Sequence, residues 1–281
     1  MNKKDLTAAL EELGMRPGRG LGQNFLLDGN LLDAIARIGA PERGEEILEV
    51  GPGFGALTKR LLAAGAKVTA IEFDHRLAEY LRTHLTCGDL RLIEADACKV
   101  DYAALFPDGQ FRAIANLPYS ISSVFIARML ELETPPQWMF FMLQREMGER
   151  LAASPGTKAY GALSVRVQFD YEVRIERIVP PEVFYPPPEV ESALVSFSRH
   201  ERFGLTKVRR DKLRGIVNSA FSQRRKQLGK VLGGVYGREA ASEAFRSAGI
   251  APDIRPDKLM CADYLRLAEG LFPAIFKKKP Q

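Results

Sequence analysis

Five short apolar runs between residues 45 and 143 are separated by longer segments, most of them amphipathic with helical period. This alternation constrains the fold more than any other feature of the chain. The runs are E-E-I-L-E-V (45–50), K-V-T-A-I-E (67–72), L-R-L-I-E-A-D (90–96), F-R-A-I-A-N (111–116) and W-M-F-F-M-L (138–143). Helical patterns cover 30–38, 56–64, 76–84 and 124–132. Strands spaced this way form βαβ units with right-handed crossovers and a mostly parallel sheet. The unbroken run at 138–143 suits a strand buried on both faces. L-S-V-R-V-Q-F (163–169) and S-A-L-V-S-F (192–197) alternate apolar with polar, and are expected as partly antiparallel strands at the sheet's edge. Beyond about Glu201 only helix-forming sequence remains. The expectation is an α/β domain over 1–203, with helices on both faces of its sheet, and a small all-α domain over 204–281.

Where the first strand hands over to a helix the chain reads E-V-G-P-G-F-G-A (49–56). Gly51, Gly53 and Gly55 allow a tight turn and close approach of a ligand to the backbone. The following helix points its free amides into the same space. Glu72 ends the next strand 21 residues after Gly51, where a carboxylate can accept from both hydroxyls of a ribose. Asp96 closes the third strand and can accept from an adenine amine. Each acid alone is ordinary surface decoration; glycine turn, Glu and Asp on three successive strand ends imply a Rossmann-like site for an adenosine cofactor. Nicotinamide dinucleotide and S-adenosylmethionine both satisfy that pattern.

The fourth strand ends in N-L-P-Y (116–119). Asn116 offers an amide oxygen. Pro118 lacks an amide hydrogen and holds Leu117 extended, which can aim the Leu117 carbonyl outward as a second acceptor. Tyr119 supplies a flat ring. Two acceptors beside a stacking face suit a planar aromatic amine, whose lone pair recovers density when its hydrogens are accepted. Taken alone, an Asn before this turn would simply cap it. A dinucleotide dehydrogenase has no evident use for this loop, which favours S-adenosylmethionine.

The formal charge of +5 is unevenly placed. Residues 207–230 carry nine Lys or Arg and one acid, so that segment is +8 and the remainder −3. Such concentration suggests a surface for a polyanion rather than a solvated helix face of mixed sign. Cys87, Cys98 and Cys261, odd in number and irregularly spaced, imply free thiols in a cytoplasmic protein. The three histidines are scattered, and no metal is expected. Neither a membrane span nor a signal-peptide core is visible.

Together these stretches resemble the KsgA (RsmA) family of ribosomal RNA adenine dimethyltransferases. The resemblance rests on G-Q-N-F-L-L-D (22–28), E-V-G-P-G (49–53), I-E-F-D (71–74), A-D-A (95–97), N-L-P-Y-S-I-S (116–122) and F-M-L-Q-R-E (141–146). It continues through K-A-Y-G-A-L-S (158–164), F-Y-P-P-P-E-V-E-S-A (184–193) and A-F-S-Q-R-R-K-Q-L (220–228). It implies S-adenosylmethionine contacts from Asn24, Leu26, Gly51, Gly53, Glu72, Asp96 and Asn116. Asn116, Leu117, Tyr119 and Phe184 would hold the target adenine, with Phe184 as a stacking face; a ring in the core is the bland alternative. Arg224, Arg225 and Lys226 would grip RNA. The implied reaction is dimethylation of two adjacent adenosines in the 3′-terminal hairpin loop of 16S rRNA, by a monomer that also serves small-subunit maturation. The erythromycin-resistance methyltransferases, acting on large-subunit RNA, share the same pocket and remain the nearest alternative.

Overall fold

Apolar runs too short for helices, bounded by turns, set the framework. A computed structural model describes residues 3–15, 23–85 and 87–276. Its strands are β1 (Phe25–Leu26), β2 (Glu46–Val50), β3 (Lys67–Glu72), β4 (Leu90–Glu94), β5 (Arg112–Asn116), β6 (Trp138–Gln144), β7 (Tyr171–Val179), β8 (Phe184–Tyr185) and β9 (Ser192–Arg199). Helices α1 (Lys3–Glu12), α2 (Gly29–Gly39), α3 (Ala56–Ala63), α4 (His75–His84), α5 (Tyr102–Leu105) and α6 (Ser122–Glu131) fall before or between the first strands. They are followed by α7 (Arg145–Leu151), α8 (Ala162–Gln168), α9 (Lys207–Ser222), α10 (Leu228–Tyr236), α11 (Arg238–Ala248), α12 (Cys261–Leu271) and α13 (Pro273–Phe276).

The main sheet has the order β4-β3-β2-β5-β6-β9-β7. β2 to β6 pair in parallel, and β9 runs antiparallel to β6. From β2 the chain winds outward through β3 and β4, then returns to place β5 and β6 on the other side. β2 and β5 therefore flank the topological switch point, where the carboxyl ends of such sheets bind ligands. Met139–Leu143 are all buried, as their unbroken apolar run requires.

Two compact units divide the chain. One comprises Met1–Met129, Thr134–Gly148 and Arg174–Arg199; the other comprises Leu130–Glu133, Glu149–Val173 and His200–Gln281. A single cut at 203/204 does not describe this division. Tyr160, Val165 and Phe169 belong to the core of the helical unit, with Leu213, Ile216, Leu232 and Tyr264. The Tyr160 hydroxyl donates to the Leu259 carbonyl at 3.0 Å, tying residues 149–173 into that core.

The edge strand expected at 163–169 is instead helix α8. Ser164 settles the conformation: its hydroxyl accepts from the Gly161 amide at 3.0 Å and donates to the Arg150 carbonyl at 2.5 Å. These bonds close the first helical turn and override the β-preference of Val165 and Val167. The edge strand lies just beyond, in Y-E-V-R-I-E-R-I-V, as β7.

Phe184 is likewise corrected. It lies on β8 opposite Leu26, is 3% exposed, and packs in a cluster with Leu26, Leu32, Ile35, Val179 and Leu194. Burial takes both faces of the ring away from a base, and the core alternative holds. Phe184→Ala is expected to lower stability by about 3–5 kcal/mol in denaturant unfolding; unchanged stability would contradict a core role.

Candidate active site

A cavity of about 350 Å³ opens at the carboxyl ends of the parallel strands of the sheet-bearing unit. That is within the range of small-molecule sites. Asn24, Leu26, Gly51, Gly53, Glu72, Asp96, Asn116, Leu117 and Tyr119 all line it, so the structure brings together every expected site residue of this unit except Phe184.

The glycine turn follows β2. Gly51 has φ +68°, and a Cβ built there would stand 3.0 Å from Cγ of Pro118. Gly53 has φ +58°, and a Cβ there would crowd the Phe25 ring at 3.2 Å. Both backbone angle and space thus require glycine. The turn is clamped from β3: Glu72 accepts from the Gly53 amide at 3.1 Å, and from the Phe73 and Asp74 amides at 2.9 Å each. Glu72 is 6% exposed, and burial raises its pKa despite these three bonds. A carboxylate offers about four acceptor sites, so capacity remains for a ligand hydroxyl. Asp96 sits two residues beyond the end of β4. It accepts from the Cys98 amide at 2.9 Å, and Lys99 pairs with its other oxygen at 3.4 Å.

Asn116 ends β5, and its Nδ2 donates to the Asn24 carbonyl at 3.1 Å. A carbonyl can only accept, so this bond fixes which way the amide faces and leaves Oδ1 as the acceptor. The next residues form a tight turn, with the Ile121 amide and the Ser122 hydroxyl both donating to the Pro118 carbonyl. The Tyr119 phenol is bound to Ser192, and burial raises its pKa.

The glycine motif also brings an acid into the cavity. Glu49, on β2, is 2% exposed, lines the cavity, and has no hydrogen-bond partner for Oε2. Burial pushes its carboxyl up to about 8, and the charge of nearby Glu72 adds to the shift. The sequence signal was present, an acid inside an otherwise apolar strand, which only a partner or a ligand justifies.

The basic segment of the helical unit proves mostly committed to the protein itself. Arg209 donates to the Ile275 and Phe276 carbonyls, and Arg210 to those of Leu205, Leu132 and Glu133. Lys207 and Arg214 pair with Asp211, Arg214 also with Glu131, and Lys212 lies over the Phe272 ring. Arg224 donates to the Thr157 and Lys158 carbonyls at 3.2 and 2.9 Å. Arg225 and Lys226 are exposed, and their side chains bond to nothing among the described residues. The polyanion surface read across 207–230 therefore contracts to a few residues after α9.

His75 is not isolated as expected. With Glu79 and Glu94 it brings ligand-type atoms within 4.8 Å of one another, away from the cavity. Arg82 already pairs with both carboxylates, supplying the charge a cation would. Cys87, Cys98 and Cys261 are free. Among the described residues, no helix is long and apolar enough to cross a membrane.

The fold is similar to that of a dimethyladenosine transferase from Plasmodium falciparum, with a TM-score of 0.73, 24% identity, and coverage of 86% of this chain and 95% of that one. It is also similar to the 23S rRNA methyltransferase ErmE, with a TM-score of 0.66, 27% identity, and coverage of 88% and 99%. A parallel sheet with this order and a cavity at its switch point is a Rossmann-like methyltransferase domain. The model of the ribosomal RNA adenine dimethylase family matches residues 17–271, and the chain belongs to that family. It is 40% identical over 269 residues to ribosomal RNA small subunit methyltransferase A of Leifsonia xyli subsp. xyli, covering 92% of this chain and 94% of that protein. A protein of the same name from Legionella pneumophila (strain Corby) is 41% identical over 254 residues, covering 90% and 97%.

If Arg225 and Lys226 meet phosphates, replacing both with Gln lowers the salt slope of rRNA binding by about 0.7–0.9 for each lost contact. Lys212→Gln, removed from the ring of Phe272, leaves that slope unchanged. Filter binding across a salt series measures both; equal slopes in all variants would contradict the assignment.

Proposed function

We propose that this enzyme dimethylates the exocyclic amines of two adjacent adenosines in the 3′-terminal hairpin loop of small-subunit rRNA, with S-adenosylmethionine as donor, and so takes part in small-subunit maturation. The observation that carries the reading is the Asn116 amide in the cavity lining, whose nitrogen is held by the Asn24 carbonyl so that its oxygen is left as the acceptor. The names of the curated relatives favour the small subunit over the large.

The cavity suits that donor: it joins backbone freed of Cβ atoms at Gly51 and Gly53, spare acceptor capacity on Glu72, and a buried carboxyl on Glu49 whose Oε2 lacks a partner. Bound S-adenosylmethionine supplies an electrophilic methyl on a sulfonium. Glu72 would accept from its ribose, Asp96 from its adenine amine, and Asn24 and Leu26 would wall the methionine end. Asn116 Oδ1 and the Leu117 carbonyl would accept the hydrogens of the target amine, returning lone-pair density to nitrogen, while Tyr119 supports the base. Alignment of nucleophile and methyl accounts for most of the rate. The proton leaves a nitrogen that has become cationic, so no strong base is needed. The adenine must be unstacked, at least cost in a hairpin loop.

Arg225 and Lys226, exposed after α9, would meet the flanking phosphates. The reading is tested by incubating the enzyme with undermethylated small and large subunits and mapping the products by mass spectrometry. Dimethyladenosine at two adjacent positions near the small-subunit 3′ end is expected; modification of the large subunit alone would overturn the reading.

Glu49 gives a pH dependence. The native state keeps its proton up to about pH 8, whereas the unfolded chain releases it near 4.5. Between those values the unfolded state binds fewer protons, so stability without ligand falls as pH rises, by up to about 1.4 kcal/mol per pH unit. Glu49→Gln is expected to flatten this decline in thermal unfolding. A cationic ligand would also ionise Glu49, so calorimetry at pH 7 in buffers of different ionisation enthalpy should record proton release on cofactor binding. Unchanged pH profiles and no proton release would remove Glu49 from the account.

A further inference from the structure

We infer that Ser192 is a positioning residue for Tyr119: a single hydrogen bond from β9 fixes the axis along which the Tyr119 ring lies beside the amine cradle. The inference rests on the reading of Tyr119 as the support for the target base.

The loop that carries Tyr119 is held by turn bonds at Pro118, Ile121 and Ser122. Those bonds place the Tyr119 backbone but leave its two side-chain torsions undetermined. The far end of the ring is held from a different element. Tyr119 Oη lies 2.5 Å from Ser192 Oγ. Ser192 is 0% exposed and begins β9, where it stands opposite Gln144 at the end of β6. The adjoining residues are fixed as well, since the Arg145 amide donates to the Glu191 carbonyl at 2.9 Å. Ser192 is thus a fixed post in the sheet, while Tyr119 belongs to a turn at the cavity. A ring held at both its Cα and its hydroxyl has its long axis fixed, and the preference of a phenolic hydrogen bond for the ring plane then favours one rotation about that axis.

This has a chemical consequence. The phenol hydroxyl is engaged with Ser192, which does not line the cavity, and burial favours its neutral form. Tyr119 therefore offers its face rather than a proton acceptor, in keeping with a transfer that needs no strong base. A serine acting through the ring differs from one that merely satisfies a buried hydroxyl. Only the former makes the two residues energetically inseparable in RNA kinetics.

The test uses full-length Ser192→Ala, Tyr119→Phe, the double variant, Ser192→Thr and Tyr119→Ala. Methylation of undermethylated small subunits is followed together with equilibrium cofactor binding and thermal unfolding. Losing one oriented hydrogen bond corresponds to about a 3–10-fold fall in kcat/KM for RNA. Ser192→Ala and Tyr119→Phe should each show it, and the double variant should fall no further. Cofactor affinity should stay within about twofold of wild type on the same grounds, and Ser192→Thr should recover most of the loss. Losses that multiply in the double variant, or a folded Ser192→Ala enzyme with wild-type RNA kinetics, would overturn the inference. Tyr119→Ala separates the two layers. Wild-type methylation by that variant removes the base-supporting role and the positioning role with it. Impairment of Tyr119→Ala without impairment of Ser192→Ala removes the positioning role alone.

Discussion

The site depends on a contact between a proline and the space left by a glycine. Gly51 at the end of β2 and Pro118 beyond the end of β5 meet across the switch point of the sheet, so closely that any side chain at 51 would crowd the proline ring. The two strands diverge in topology there, which opens a crevice, and the two turns fill its rim. The turn proposed to hold the cofactor and the turn proposed to hold the target amine are consequently one packed unit. The Asn24 carbonyl adds a third element by fixing the Asn116 amide. In the proposed reaction the relative position of donor and acceptor would be set by packing and by backbone groups, which have few alternatives, rather than by long flexible side chains.

Charge is arranged with similar economy. Two carboxyls, Glu49 and Glu72, are buried beside one another at this edge, and burial disfavours the ionised form of both. Glu72 is compensated by three backbone amides, and it holds the glycine turn in return. Glu49 lacks such compensation at Oε2. An undercompensated acid in the cavity suits a cationic ligand better than an anionic one, in keeping with the proposed sulfonium donor. In the helical unit the pattern is reversed. Six of its nine concentrated cations are engaged by carbonyls, acids or an aromatic ring, which leaves the exposed residues after α9 for a polyanion.

Most of the parallel sheet was legible because each strand is an apolar run with a turn on either side, and burial on both faces of β2, β3, β5 and β6 leaves little ambiguity. Glu72, Asp96 and Asn116 were legible as a set because strand ends are where periodicity stops and polar residues begin. The misreadings have physical causes. Residues 163–169 contain β-branched residues at alternate positions, but Ser164 closes a helical turn through contacts distant in sequence. Phe184 follows a 3-10 turn and precedes three prolines, a context that suggests exposure, yet pairing with Leu26 turns it into the core. Net charge in 207–230 gave the sign of a surface but not its extent, because a sequence does not reveal which arginines are spent on carbonyls. Glu49 was hidden within a motif whose glycines drew the chemical argument.

The central claim is that Asn116, oriented by a backbone carbonyl, acts on the target amine during methyl transfer. Single-turnover methylation of small subunits by Asn116→Ala, with cofactor binding measured separately, tests it most directly. The account predicts a fall of about 10²-fold or more in the chemical step at saturating cofactor, as for loss of an oriented polar contact in a transition state, with folding intact. A near wild-type single-turnover rate at saturating cofactor would contradict it.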